Sequence, residues 1–140
     1  MIYLLDTNVI SELVKKQPYV KVVQWVDDQE PAQMYLSVIT IGEIRKGIEK
    51  LPVSEQKAIL HDWLSSQLLV RFDGRIAPIT TSVMLRWGAL TGRLETKGVV
   101  LSAIDSFIAA IALDGQFALA TRNTDDFRET GVSLFNPWTG

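Results

Sequence analysis

The chain has 140 residues, 47% apolar and 21% charged, with a formal net charge of −2. That is an ordinary globular composition for one domain, long enough to bury a core without covalent staples. The absence of cysteine excludes disulfides, thiolate zinc sites and a cysteine nucleophile, and any Ser-His-Asp triad or imidazole metal site would have to use the single histidine, His61.

The slight acidity means that attraction to phosphate would have to be local rather than global. A mean hydropathy of +0.15 fits either a generous core or a surface covered by a partner. No apolar run reaches the ~20 residues that span a bilayer, and the amino terminus opens directly into a strand pattern, so neither membrane insertion nor export is expected. The expected location is the cytoplasm.

Strand and helix patterns alternate along the chain. Ile2–Leu5 reads as a strand, followed by a helix from about Asn8 to Lys15. Pro18 can start the next helix, with Val20, Val23 and Val26 on its apolar face and Glu30-Pro31 as its stop. Met34–Val38 reads as a strand. Thr40 and Glu43 match a capping box for a helix to about Lys50, and a further helical pattern runs from Ser54 to about Leu69. In that pattern Ile59, Leu60, Trp63 and Leu64 form the apolar stripe and His61 falls on the wet side. Val70–Phe72 reads as a short strand before an Asp73-Gly74 turn. Val83, Met84, Trp87, Leu90 and Leu94 predict a long helix over Thr81–Thr96, ended by Lys97-Gly98. Ser102 caps the next helix, which ends near Asp114-Gly115, and Phe117–Ala120 and Val132–Phe135 complete the strands. Alternation of this kind predicts an α/β fold, a three-layer α/β/α sandwich around a mainly parallel sheet, as one domain over residues 1–140.

Four acids stand where strands hand over to helices: Asp6, Glu43, Asp105 and Asp126. In open parallel sheets, ligands bind beyond the carboxyl ends of the strands, and the four acids fall at those ends. Each one alone has a structural explanation as a helix cap, or as an acid gaining ~0.3–1 kcal/mol from a helix dipole. Gathered together they do not, because two carboxylates ~4 Å apart repel by about 4 kcal/mol at an effective dielectric of 20. Such a group has to be kept apart, bind a proton or hold a cation. Asp105 sits beside the apolar stripe of its helix, where burial needs a partner. With only oxygen donors at hand, Mg²⁺ or Mn²⁺ suits the set better than Zn²⁺. Thr7, Asn8, Thr121 and Asn123 lie next to these acids as supporting polar groups.

Four segments resemble, in order, the motifs of the PIN-domain proteins: Leu4 to Glu12, Ser37 to Ile48, Leu101 to Ala110 and Thr121 to Phe127. The closing Asn136-Pro137-Trp138 is similar to that of the VapC/FitB-like toxins within that family. The resemblance covers nearly the whole chain. It implies a PIN-like sandwich and a Mg²⁺- or Mn²⁺-dependent endoribonuclease, usually the toxin of a type II toxin–antitoxin pair. On this chain it implies Asp6, Glu43, Asp105 and Asp126 as catalytic metal ligands, with Asp125 as the competing choice for the fourth. Thr121 would hold a metal-bound water, and Asn8 and Asn123 would support it. The implied partners are an RNA substrate, a homodimer mate and a cognate antitoxin that carries the complex to operator DNA.

Arg122, inside the fourth motif, is the leading candidate to touch RNA or antitoxin; Arg45, Lys46, Arg86, Arg93 and Lys97 are weaker ones. Trp25, Trp63 and Trp87 lie on apolar helical stripes and read as core or subunit-interface residues, with Trp138 left open. Two other functions compete. One is phosphoryl transfer through an aspartyl nucleophile of dehalogenase-like type on Asp6, although Asn8 stands where a second acid belongs. The other is a non-catalytic interaction domain whose acids merely cap helices.

Overall fold

A computed structural model describes all of residues 1–140. Five short parallel strands form one sheet: β1 (Tyr3–Leu5), β2 (Met34–Ser37), β3 (Ile76–Ala77), β4 (Ala118–Ala120) and β5 (Ser133–Phe135). Their order across the sheet is β3-β2-β1-β4-β5. The chain therefore starts in the middle, builds outward through β2 and β3, then returns to the other side of β1. Registry is direct, with Leu4 beside Tyr35 on one side and Leu119 on the other.

Side chains alternate across the sheet as strand geometry requires. Leu5, Met34, Leu36 and Ala120 point into one core with α1 (Thr7–Leu13), α2 (Val20–Asp28), α3 (Val38–Glu49) and α4 (Glu55–Trp63). Leu4 and Leu119 point into the other core, against α6 (Thr81–Thr96) and α7 (Ala103–Asp114). This is the expected three-layer sandwich. No helix is long and apolar enough to cross a membrane.

Several local expectations need correction. The core face of α2 is Val22, Trp25 and Val26, while Val20 is 67% exposed. Trp25 settles that face by meeting Tyr3 edge-on at 4.9 Å and stacking on Phe135 at 5.0 Å. Helix α3 starts earlier than the capping-box pattern suggests. Ser37, the last residue of β2, is its N-cap and its Oγ accepts from the Thr40 amide at 3.1 Å. Thr40, Ile44 and Ile48 then form the buried stripe at four-residue spacing, and Glu43 lies well inside the helix rather than in its cap.

Val70 and Arg71 are helical and Phe72 is the C-cap that follows them, not an extended residue. Helix α4 continues through a π-helical turn at Leu64–Leu68 into the short α5 (Leu69–Arg71). Leu64, Leu68 and Phe72 recur every four residues and all enter the core, a helical period that outweighs the β-propensity of Val70 and Phe72. Along the same helix Ile59 is 59% exposed, so it does not belong to the inward stripe, whereas Leu60, Trp63 and Leu64 do. The missing strand is β3, two residues long and too short to carry a period. Arg75 anchors it by donating to the carbonyls of Pro31 and Met34, while Gly74 takes φ +78° in the turn before it.

Phe72→Ala should cost about 3–5 kcal/mol in urea unfolding, while Val70→Ala, at 66% exposure, should leave stability nearly unchanged. A strand at this position would reverse that ranking or make the two costs equal.

Candidate active site

The site grows from the point where the chain changes direction across the sheet, between β1 and β4. Asp6 directly follows β1 and continues its ladder, its amide donating to the Ala120 carbonyl at 2.9 Å. Thr121 directly follows β4, and its amide donates to the Phe135 carbonyl at 3.0 Å. Both residues are therefore placed by sheet backbone rather than by loop conformation, and both are buried.

The Asp6 carboxylate is only 6% exposed yet both of its oxygens are satisfied. Oδ1 accepts from the Thr7 amide at 2.8 Å, which caps α1, and Oδ2 accepts from the Thr121 hydroxyl at 2.8 Å. The Thr121 oxygen in turn accepts from the Asn8 side-chain amide at 3.3 Å and the Asn123 backbone amide at 3.0 Å. Its single proton is thus committed to Asp6, and its role is to orient that carboxylate. Asn8 also reaches across, accepting through Oδ1 from the Arg122 amide at 3.3 Å. Asn8 and Thr121 thus meet beside Asp6 through their side chains, whereas Asn123 contributes only its backbone amide.

Glu43 is reached by a second hydroxyl chain. The Thr7 hydroxyl donates to Glu43 Oε1 in a short hydrogen bond. With its proton spent there, Thr7 Oγ1 accepts from Thr40 Oγ1 at 3.0 Å, and Thr40 accepts from the Ser37 hydroxyl at 3.4 Å. Ser37 and Thr40, both buried, orient Glu43 through Thr7. Their signal in the sequence is weak: small hydroxyl residues on the inward face of α3, where an apolar residue would otherwise pack.

Asp105 occupies the first turn of α7 and is half-buried. Its amide donates to the Ser102 hydroxyl at 3.1 Å, so the capping relation is real there. Asp126 lies on the 3₁₀ segment Thr124–Thr130 after β4. Its neighbour Asp125 turns away, its side chain 84% exposed and paired with Arg128.

Electrostatics ties the four acids together. Burial pushes the Asp6 carboxyl above its ordinary range, its bonds from Thr121 and Thr7 oppose that, and the charges of Asp105 and Glu43 push it further up. Burial likewise raises Asp105, opposed by Ser102 and reinforced by Asp126 and Glu43. Asp125 contributes to neither. No three acids by themselves close into a group tight enough to hold an ion, so a metal here would keep water in part of its shell, as Mg²⁺ does. The donor set, all oxygen with two carboxyls pushed upward by burial and then by neighbouring acids, fits a hard divalent ion.

The other candidates separate clearly. Arg122 is exposed, its guanidinium 5.3 Å from the centre of the Trp138 ring. His61 pairs with Glu49 at 3.1 Å on the surface and plays no part in the site. Trp25 and Trp63 pack against one core, and Trp87 packs against the other, donating to Ser106 Oγ at 2.9 Å. Glu12 is a buried acid outside the four, with no role expected from its sequence position. Its carboxylate accepts from Lys15 Nζ and the Tyr19 amide, each at 2.9 Å, fixing the turn from α1 to α2. The Lys15 bond, the Tyr19 amide and more distant charges hold it below the usual carboxylate range.

The PIN domain model matches residues 3–132. The chain belongs to the PIN-domain family. Among its relatives, the toxin FitB of Neisseria gonorrhoeae is 39% identical over 135 residues, 96% of this chain and 97% of that protein. The VapC ribonuclease Y4jK of Sinorhizobium fredii is 37% identical over 134 residues, 96% of each chain. The solved structure of FitAB bound to an IR36 DNA fragment superposes with a TM-score of 0.93 at 38% identity, covering 98% of this chain and 96% of that one. The PIN-domain match ends before β5, the strand that pairs with β4 and holds Thr121 in line.

The raised Asp6 and Asp105 carboxyls set a sign for stability against pH. A carboxyl whose folded pKa lies above its unfolded value adds stability while protonated, and that stability is lost as pH climbs through the folded pKa. In chelator, Asp6→Asn should therefore unfold at a higher temperature than the unsubstituted protein at neutral pH, with the gap closing as the buffer is acidified past the ordinary aspartate range. A gap that is constant with pH would mean that Asp6 carries no such shift.

Proposed function

We propose that this protein is a divalent-metal-dependent endoribonuclease and the toxic half of a type II toxin–antitoxin pair. The observation that carries the reading is that Thr7 joins two of the acids, its amide donating to Asp6 and its hydroxyl to Glu43, where Asp105 opens α7 beside them. Its membership of the PIN-domain family and its likeness to a named toxin and a named VapC ribonuclease support it.

In this reading Asp6, Asp105, Glu43 and Asp126 would hold Mg²⁺ or Mn²⁺ among them, with water completing its shell. The ion, when bound, lowers the pKa of a water molecule and stabilises charge on the departing phosphodiester oxygen. Thr121 keeps Asp6 in one orientation, and Asn8 and Asn123 keep Thr121 in its own. The Thr7–Thr40–Ser37 hydroxyl chain does the same for Glu43. Arg122, exposed at the rim, takes a substrate phosphate or an antitoxin carboxylate. Asp126 rather than Asp125 is the fourth acid, because Asp125 is spent on Arg128.

The two competing readings lose ground. A dehalogenase-like nucleophile at Asp6 needs a second acid two residues on, and that position is Asn8, whose side chain is engaged by Thr121 and the Arg122 amide. Helix capping accounts for Asp6 and in part for Asp105, but Glu43 lies inside α3 and Asp126 makes no side-chain cap. The FitAB–DNA likeness supports a cognate antitoxin that tethers the pair to an operator, a complex we place in the cytoplasm together with a homodimer of this chain.

Total RNA incubated with the protein and Mg²⁺ should be cut at discrete positions, and EDTA should abolish cutting. Asp6→Asn or Asp105→Asn should reduce the rate by more than about 100-fold, beyond the ~10–100-fold typical of outer-shell changes and expected for Thr121→Val. Full activity in the Asp6→Asn, Asp105→Asn double variant would exclude the assignment.

A further inference from the structure

Beside Glu43 an open groove runs along the outer face of α3. Gly42, Glu43, Lys46, Gly47 and Lys50 line it, and Ile104 at the start of α7 closes its far side. At 100° per residue the four α3 positions and its C-cap Lys50 fall within one stripe of that helix. Two features of the stripe have no explanation inside the chain.

The first is the pair of glycines. Glycine weakens a helix interior relative to alanine, so it needs a packing reason. Neither Gly42 nor Gly47 has one here, since a Cβ at either position would meet nothing within 4 Å. What the glycines provide is an exposed helix face low enough for another chain to approach closely. The second is the pair of lysines. Lys46 and Lys50 are exposed and make no ion pair or side-chain hydrogen bond. The dipole at the carboxyl end of α3 favours cations there, which accounts for positive charge but not for the adjacent glycines.

We propose that this groove is the track along which the single-stranded substrate enters the site, a deepening that rests on the ribonuclease reading above. Lys46 and Lys50 take two successive phosphates. Gly42 and Gly47 let the sugar–phosphate backbone lie against the helix. The half-exposed side chain of Ile104, 40% exposed, offers an apolar surface to the bases. The strand then passes Glu43 into the group of acids, with Arg122 on the opposite side. Charge selects a polyanion over a protein segment as the occupant, because the two unpaired groups are both cations.

The test is fluorescence anisotropy of a labelled single-stranded oligoribonucleotide of mixed sequence in Mn²⁺, with cleavage of the same probe followed on gels. Lys46→Gln with Lys50→Gln should weaken binding about tenfold, and should lower the slope of log affinity against log salt by about 1.4, two contacts at ~0.7 each for a single strand. Gly47→Leu should raise Tm by about 2–4 °C, because leucine is the better helix former, and yet weaken binding. That opposition separates a blocked track from a damaged fold. KM should rise in both variants while kcat stays within about twofold. Unchanged RNA affinity in both, or no binding by the unsubstituted protein, overturns the proposal. So does loss of affinity only for an antitoxin chain. Binding without cleavage by the unsubstituted protein would sink the ribonuclease reading, and with it the entry of a substrate, leaving the groove as an RNA-binding surface alone.

Discussion

An anion held almost out of water at the end of the central strand sets the terms for everything around it. Burying a carboxylate without partners is costly, and Asp6 offsets part of that cost by accepting from a backbone amide and a threonine hydroxyl. Those two bonds favour its charged form, but desolvation and two neighbouring acids disfavour it more strongly. The fold maintains this imbalance because Asp6 and Thr121 are locked in registry by adjacent parallel strands. A loop would relax away from such repulsion. Two strands hydrogen-bonded along their length do not.

Hydroxyl groups carry much of the organisation. Ser37, Thr40, Thr7 and Thr121 each have one proton, and the direction in which it is donated is set by the acceptors around it. On the β2 side the chain ends on Glu43, and on the β4 side it ends on Asp6. The acids are thereby fixed from beneath by neutral donors, leaving the open side to solvent, a cation or substrate. A lysine or arginine in place of Thr7 or Thr121 would instead neutralise the acids from within.

The helices are arranged to serve the same edge. Helix α1 begins at Asp6, α3 brings Glu43 back over β2, and α7 presents Asp105 in its first turn. A parallel sheet makes this economical, since every strand ends on the same side and every following helix begins there. The α1–α2 turn, fixed by the buried Glu12, and the closing segment with Trp138 under Arg122 then shape the rim. Glu12 shows that a buried acid near the site need not share its chemistry: satisfied by Lys15 and an amide, it is stabilised as an anion, whereas Asp6 is destabilised.

Much of this was legible in the order of residues. The α/β alternation, the layer count, the four acids at strand ends and the polar groups beside them all follow from short-range rules, because strand and helix periods and the chemistry of side chains are local properties. The resemblance of four successive motifs added the family. What local rules cannot supply is which competing period prevails and which acids meet. Val70 and Arg71 became helix, capped by Phe72, because Leu64, Leu68 and Phe72 share a core face, and β3 is too short to announce itself. The cap of α3 moved to Ser37 once the end of β2 was fixed by its neighbours. Asp125 and Asp126 are chemically identical and adjacent, and only the turn of the 3₁₀ segment sends one to Arg128 and the other toward Asp105. Residue type determined what each group is able to do; strand order, burial and donor geometry, which depend on contacts between residues far apart in the chain, decided which of them do it together.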